Sequence, residues 1–358
     1  MAKKSSRKSG SVVTIHDVAR HAGVSPMTVS RVVNNDANVR EQTRERVLAS
    51  VKALRYSPNL AARSLASADA VHLGVIYSNP SSAYLSEFLL GSLDASRRTG
   101  SQLVIEQCVG PEDEAVTRLV KGGIDGVILP APLCDSQETL KAVEAAGLPV
   151  VLVASGRPAP ALTAVSINNF EASRAMTRYL LGLGHKRIGF INGHPNQTAS
   201  GQRFRGFIEA MTETGLSVGT DQVAQGYFTY RSGMEAAEKI LASFNPTAIF
   251  ASNDDMAAAA MAVAHRHGLE VPGDLAIAGF DDTPLATTVW PELTTVRQPI
   301  ADMAHEAVRL LIDQIRARRA GRDGQVTHKL VKYTLIPRDS TAAPREKPAP
   351  RGKASAKS

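Results

Sequence analysis

Between positions 14 and 34 the apolar residues fall twice at helical spacing, with a glycine between the two runs. Ile15, Val18, Ala19 and Ala22 share one face of the first run, and Val29, Val32 and Val33 one face of the second. Thr14 stands at an N-cap position, and Asp17 places a carboxylate in the first turn. Gly23 supplies the break. Ser25 caps the second helix and Pro26 takes its first position, where no backbone N–H is needed. A third amphipathic helix is predicted over 40–54, with Val47, Leu48, Val51 and Leu54 inward and Arg44, Arg46 and Lys52 outward. After Tyr56-Ser57-Pro58-Asn59 comes a short apolar helix, Leu60 to Ala66.

From Val71 the period changes. Strand-like runs alternate with helices: VHLGVIY, a helix near 84–99, SQLVIEQC, a helix near 112–122, GVILPA, a helix near 136–146, and PVVLVAS. A second set is predicted from TAVSINN through helices near 170–183, 202–214, 231–243 and 254–267, with RIGFING, VAQGYF, TAIFAS and LAIAGFD as strands. A final TTVRQP, a long helix near 300–318 and a strand KLVKYTLIPR close the pattern. Repeated βαβ units require parallel sheets covered on both faces. The expected fold is therefore a small all-α head joined to an α/β body of two doubly wound parallel-sheet lobes. Segments 1–13 and 341–358 hold too few apolar residues to fold and are expected to be disordered basic ends.

Charge sharpens the division. Residues 1–66 hold 12 Lys+Arg against 4 Asp+Glu, and residues 342–358 hold 5 against 1, while the whole chain is +7, which leaves the intervening body at −5. Basic ends on an acidic body point to a polyanion bound at the ends. The 2 cysteines, Cys108 and Cys134, form no motif, and a reducing compartment fits them best. The start MAKKSSRKSG is followed by no apolar run of signal-peptide length, so a soluble, cytoplasmic, nucleoid-associated protein is expected.

Two short helices with a glycine turn form an ordinary helical hairpin or a helix-turn-helix. The latter lays its second helix in the major groove, N-terminal residues nearest the base edges. Pro26, Met27 and Arg31 are then the first candidate readers, within a candidate contact set of Thr14, Ser25, Pro26, Met27, Thr28, Ser30, Arg31 and Asn34.

The segments IHDVARHAGVS, TVSRVVN and TRERVLASVKALRYSPNLAARSL together resemble the lactose-repressor (LacI/GalR) family of bacterial transcription regulators. The resemblance implies a helix-turn-helix domain at 14–56 and a hinge helix and linker at 57–69. It further implies a two-lobed effector-binding and dimerisation domain at 70–340, like type I periplasmic sugar-binding proteins. The long final helix is then expected to rejoin the first lobe and the last strand the second. Asn59, Ala62 and Leu65 match the hinge positions that face DNA, and Leu65 the leucine that wedges between base steps of the minor groove. A leucine in the core of the body is the alternative reading of Leu65. The terminal heptads of the tetrameric lactose repressor are missing, so a homodimer on a pseudo-palindromic double-stranded operator is expected.

In open α/β sheets ligands bind beyond the carboxyl ends of the strands, so the cleft between the lobes is the expected effector site. Arg203 matches the arginine of the family's R-x-x-G motif, Asn253 and Asp254 its N-D pair, and Asp281 the aspartate after the second lobe's fifth strand. Asn79, Tyr84, Phe170 and Trp290 complete the candidate set. Such donors, acceptors and aromatic faces suit a mono- or oligosaccharide. Asn253 or Asp254 as helix caps, and Arg203 as a surface residue, are the structural alternatives. Many relatives carry Asp, often followed by Arg, where this chain has Ala154-Ser155, so the bound sugar is expected to differ or to sit differently.

No phosphate-binding loop, nucleophile elbow, dinucleotide fingerprint or C-x-x-C pair is present, and neither catalysis nor a cofactor is expected. His265 and His267, two apart on a helix, point to different faces, so no metal site is expected there. His185 after Gly184 reads as structural. A periplasmic sugar-binding protein, or a regulator driven by a nucleobase or a phosphorylated partner protein, remain the rival readings.

Overall fold

The computed structural model describes residues 13–33, 39–54, 56 and 70–345. They divide into two compact units, one ending at Ala70 and one starting at Val71. The expectations for the N-terminus before Val13, for Asn34, for the hinge residues Asn59, Ala62 and Leu65, and for the tail after Arg345 lie outside the described residues.

The first unit has three helices, α1 (Ile15–Ala22), α2 (Pro26–Val33) and α3 (Glu41–Ala53). Val18, Ala19, Ala22, Val29, Val32 and Val47 form its buried centre. Asp17 accepts from the Thr14 backbone N–H at 3.0 Å and from its hydroxyl at 2.7 Å, closing the first turn. Gly23 ends α1 at φ 63°, a conformation that favours glycine. α3 departs from expectation at two positions. Leu48 is 49% exposed, because it lies about 100° round the helix from Val47 and only one of such neighbours can face inward. Its expected place is taken by Ser50, which is buried, donates to Arg46 O at 2.9 Å and meets His21 Nδ1 of α1 at 3.0 Å. Arg44, expected outward, is largely covered and lies beside Glu41.

In the second unit the first lobe holds β1 (His72–Tyr77), α4 (Ser82–Thr99), β2 (Gln102–Gln107), α5 (Glu112–Lys121), β3 (Gly126–Pro130), α6 (Gln137–Ala145), β4 (Val150–Val153) and β5 (Thr163–Ser166). The second holds α7 (Asn169–Gly182), β6 (Ile188–Asn192), α8 (Thr198–Glu213), β7 (Val223–Gln225), α9 (Tyr230–Ser243), β8 (Ala248–Ala251), α10 (Asp254–Arg266), β9 (Ala276–Ala278) and the single turn α11 (Leu285–Thr288). The chain closes with β10 (Thr295–Arg297), α12 (Ile300–Arg319), β11 (His328–Leu330) and β12 (Thr334–Ile336).

The first sheet runs β11-β5-β4-β3-β1-β2 and the second β7-β6-β8-β9, every pairing parallel. β10 and β12 make a separate antiparallel pair. The fully buried strands β3, β4 and β8 are continuous apolar runs, as parallel strands covered on both faces must be.

The structure corrects the lobe boundary. β5, read as the opening strand of the second set, pairs with β4 in the first sheet. Its apolar run has no periodicity that distinguishes one sheet from the other; only its partner does. The long α12 does rejoin the first lobe, along α4 and beneath β3, β4 and β5. The expected last strand is two strands: β11 extends the first sheet beside β5, and β12 pairs with β10. The chain therefore passes between the lobes three times, after β5, before α12 and between β11 and β12. The tail expected from 341 is held through Arg345. Tyr179 Oη meets Thr341 Oγ1 at 3.0 Å, His185 Nε2 meets Ala342 O at 2.8 Å, and Arg345 pairs with Glu270 at 2.7 Å.

Candidate functional site

On α2 the cap engages Ser25 and Thr28. Ser25 Oγ accepts from Thr28 N–H at 3.1 Å and lies 2.9 Å from its hydroxyl, so both side chains serve the helix start. Thr14 is likewise engaged by Asp17. Met27 is 65% exposed, Arg31 is exposed and Ser30 half-buried. Spaced three and four residues apart, these share one outward face, opposite the buried Val29 and Val32.

In the second unit the strand order reverses between β1 and β3 in one sheet and between β6 and β8 in the other. Ligands bind at such switch points. Asn79 follows β1, Ala131 follows β3 and Asn253 follows β8, and all three line one cavity with Ser81, Tyr84, Ala154, Gln197, Ala199, Arg203, Phe228, Asp281 and Gln298. Ala154, Phe228 and Asp281 hold φ of 65°, 61° and 116°. Left-handed backbone at residues other than glycine costs on the order of 1–3 kcal/mol each and gathers at functional sites.

Arg203, in α8, is buried. Its Nε donates to Asn169 Oδ1 at 2.9 Å, its Nη1 donates to Ser252 O at 2.5 Å, and its guanidinium lies 3.7 Å from the Phe280 ring centroid. Asp281 Oδ1 stands 3.7 Å from Arg203 Nη1 and accepts from Gln298 Nε2 at 2.5 Å. Asn253 caps α10 through its Oδ1, which accepts from Met256 N–H at 3.0 Å, and its Nδ2 donates to Phe228 O at 3.2 Å. It is thus both cap and cavity wall. Asn79 donates to Ala131 O at 2.9 Å. Tyr84 is buried, and among the described residues its hydroxyl has no partner.

Three candidates stand elsewhere. Asp254 is fully buried inside the second lobe, accepting from Thr283 N–H at 2.8 Å, Thr283 Oγ1 at 3.2 Å and Thr295 Oγ1 at 2.6 Å. It locks β10 to α10 and does not line the cavity. Phe170 lies under the Arg205 guanidinium at 5.8 Å, and Trp290 is 80% exposed beside Pro291 and Ala342. Neither lines the cavity. Gln298, Gln197 and Ala199 were not anticipated. Gln298 directly follows β10, so the strand-end rule applied to TTVRQP would have found it.

Burial sets the electrostatics. It pushes the Asp281 carboxyl well above the usual carboxylate range, with Arg203 opposing, and it draws the Arg203 guanidinium downward. Asp254 is pushed up to about 7 by burial, its three threonine donors opposing. Burial and the nearby Asp281 push the Tyr84 phenol upward, so it stays a proton donor. A buried polar group without a partner costs about 1–3 kcal/mol. A ligand that accepts from Tyr84 and donates to Asp281 relieves both penalties.

Two groups of polar contacts close the cleft. Asp135, after β3, accepts from Thr198 N–H at 2.8 Å, from Thr198 Oγ1 at 2.9 Å and from Ser155 Oγ at 2.6 Å. Thr198 Oγ1 in turn accepts from the N–H groups of Gly156 and Arg157, and Gln202 donates to Gly156 O. On the other side Ser81 Oγ donates to Asp255 Oδ2 at 2.5 Å. The cavity between them is about 30 Å³, against roughly 300–1,000 Å³ for small-molecule sites. This is a closed arrangement, too small for a sugar-sized ligand.

Comparison with known proteins agrees with both units. The model of bacterial regulatory proteins of the lacI family matches residues 14–59, and that of the periplasmic binding protein-like domain matches residues 177–341. The chain is 36% identical to catabolite control protein A of Priestia megaterium, covering 84% of this chain and 91% of that one. It is 33% identical to the transcriptional repressor PurR of Pasteurella multocida, over 85% and 92%. Among solved structures, the lac repressor dimer bound to operator and the anti-inducer ONPF aligns with a TM-score of 0.74 at 28% identity, covering 93% of this chain and all of that one. The complex of the regulator CelR with cellobiose aligns at 0.69 and 29% identity, over 92% and 99%. With its helix-turn-helix unit and its two parallel-sheet lobes around one cleft, the chain belongs to the LacI family of DNA-binding transcriptional regulators.

Proposed function

We propose that the protein is a homodimeric repressor, acting in the cytoplasm on a pseudo-palindromic operator, whose DNA affinity is set by a small carbohydrate held between the lobes. The observation that carries this reading is Tyr84. Its buried hydroxyl, without a partner among the described residues, belongs to a cavity that also presents Asp281, Asn253, Asn79, Gln298 and Arg203. Such a mixture of fixed donors and acceptors matches ligand hydroxyls, each of which donates once and accepts. The cellobiose held by the similar CelR supports a sugar. The lac repressor dimer on its operator supports the assembly, as do the exposed Leu90 and Leu93 of α4 and Val104 and Ile105 of the edge strand β2.

Parting or closing the lobes changes how the first lobes of two subunits meet, and so whether the segments 57–66, with Asn59, Ala62 and Leu65, can sit side by side in the minor groove. A coupling of about 1–3 kcal/mol is sufficient. A nucleobase is the second reading, favoured by the Phe228 ring in the cavity wall and by the PurR repressors among the relatives.

A thermal-shift screen against mono- and disaccharides, sugar phosphates and nucleobases tests the choice. A ligand at a hundred times its Kd adds about 2.7 kcal/mol of stability. Stabilisation by a nucleobase and by no carbohydrate would replace the first reading with the second.

A further inference from the structure

The cavity in the cleft is not uniform, and the sheet orders show how it changes along its length. In the first sheet β4, β3 and β1 are neighbours in that order, and in the second β7, β6, β8 and β9. The contacts that close the cleft set these rows against each other. Asp135 after β3 and Gly156 after β4 are both bonded to Thr198 after β6, and Ser81 after β1 is bonded to Asp255 after β8. One end of the cavity therefore lies among the tips of β3, β4, β6 and β7, and the other among those of β1, β8 and β9.

The first end is walled by small apolar groups. Ala131 and Ala154 directly follow β3 and β4, Ala199 follows Thr198, and the Phe228 ring comes from the turn after β7. Among the described residues Gln197 is the one polar side chain that lines this end apart from Arg203, whose guanidinium reaches across to Ser252 O after β8 and to Asp281. The backbone at Ala154 has φ 65°, which glycine adopts without strain and alanine does not. What alanine adds there is a methyl on the wall. The second end is polar. Asn79 follows β1, Tyr84 stands in the first turn of α4, Asn253 follows β8 and Asp281 follows β9, where Gln298 donates to it from the end of β10. The groups that match hydroxyls are gathered at this end.

We propose that the effector is a carbohydrate carrying an apolar substituent, the methyl of a deoxyhexose or the alkyl group of a glycoside, with its hydroxyls at the Asp281 end and the substituent against the alanine wall. This rests on the carbohydrate reading above and narrows it. A hydroxyl directed at alanine methyls and a phenyl ring gives up its hydrogen bonds to water without replacement, whereas a methyl gains apolar contact. An apolar pocket discriminates against one added hydroxyl by on the order of a hundredfold. Gln197 can take one hydroxyl, so the preference expected here is about tenfold or more.

The test is calorimetry on the full-length protein with matched probes. These are D-galactose and its 6-deoxy form, L-mannose and its 6-deoxy form, and D-glucose and its methyl α- and β-pyranosides, so that the methyl is tried at both ends of the ring. In every pair that binds, the methyl-bearing member is expected to bind about tenfold or more tightly. Ala154→Asp brings to that wall a carboxylate on a residue type that tolerates left-handed backbone, and should cancel or reverse the preference. A parent hexose that binds as tightly as its methyl-bearing partner overturns the inference and leaves the carbohydrate reading standing. So does an Ala154→Asp variant of wild-type melting temperature that keeps the full preference. A panel in which no sugar binds also overturns it, and the carbohydrate reading falls with it if a nucleobase binds instead.

Discussion

Asp135 of the first lobe and Thr198 of the second are joined across the cleft by two hydrogen bonds, from the Thr198 N–H at 2.8 Å and from its hydroxyl at 2.9 Å. The same hydroxyl accepts from Gly156 and Arg157 N–H, so one side chain ties three segments of the closed arrangement together. Thr198→Val removes it while keeping the shape. A charge-assisted bond contributes about 1.5–3 kcal/mol, and the variant is expected to bind its effector roughly tenfold or more weakly by calorimetry. Its radius of gyration in solution should increase. Thr198→Ser should behave as wild type. An unchanged effector affinity in the valine variant would mean that closure does not depend on this contact.

Base reading is expected to rest on the outward face of α2. Arg31→Ala should cost about 1–3 kcal/mol and relax preference at one base pair per half-site if the guanidinium grips a guanine. Met27 is 65% exposed and offers no hydrogen-bonding hydrogen, so Met27→Gln should change the preferred base rather than abolish binding. Selection from a random duplex pool reads both. Uniform weakening of the Arg31 variant over all sequences would make it a phosphate clamp.

Gly206 follows Arg203 by three residues, and the pairing has a structural cause. A Cβ at 206 would lie 2.2 Å from Phe170 O, so the glycine lets α8 rest against the start of α7 and places Arg203 beneath the cavity. Gly206→Ala should cost about 1–3 kcal/mol or more by overpacking, seen as a lower urea midpoint, with weaker effector binding beside it. A variant of wild-type stability would show that the two helices can separate freely.

Asp254 gives a pH signature. Its folded-state value of about 7 lies above the ordinary 3.8, so between these values the folded protein holds a proton that the unfolded chain has released. This group therefore makes stability fall as pH rises from about 4 to about 7, with little further change above. Asp254→Asn removes that contribution. The wild-type loss of stability between pH 5 and pH 8 should shrink in the variant, measured by urea unfolding at both. An equal loss in the two proteins would place the effect on other carboxyls, with Asp281 and Asp255, also raised by burial, first among them.

The helices and most strands were legible in the sequence, because each carries its own period and caps. α4 through α10 and α12 fall close to their expected spans, although α8 starts about one turn early, where Thr198 follows Gln197 without a recognisable cap; the single turn α11 was not expected. What the sequence did not disclose was partnership. β5 and β11 are short runs whose sheet is decided by chain crossings, and no local pattern reports them. The same holds for the site. Arg203, Asn253 and Asp281 were readable as strand-end and motif positions. Asp254 resembled them in position yet turns inward to Thr283 and Thr295. Trp290 looked like a stacking residue by its type alone. The clasp of Asp135 and Thr198 joins residues 63 positions apart, and only the fold brings them together.

The most direct test of the whole account is operator affinity of wild type and Asp281→Asn, with and without the carbohydrate that best stabilises the wild type. The duplex is one selected by the protein from a random pool. Asparagine keeps an acceptor for Gln298 but replaces the second carboxyl oxygen with an NH2 group, which cannot accept from a ligand hydroxyl. Both ligand-free proteins should bind DNA within about twofold of each other. Ligand should change wild-type affinity by roughly 5–150-fold, and the variant by less than twofold at the same concentration. A variant that responds to ligand with wild-type potency would contradict the assignment of the effector to this cleft.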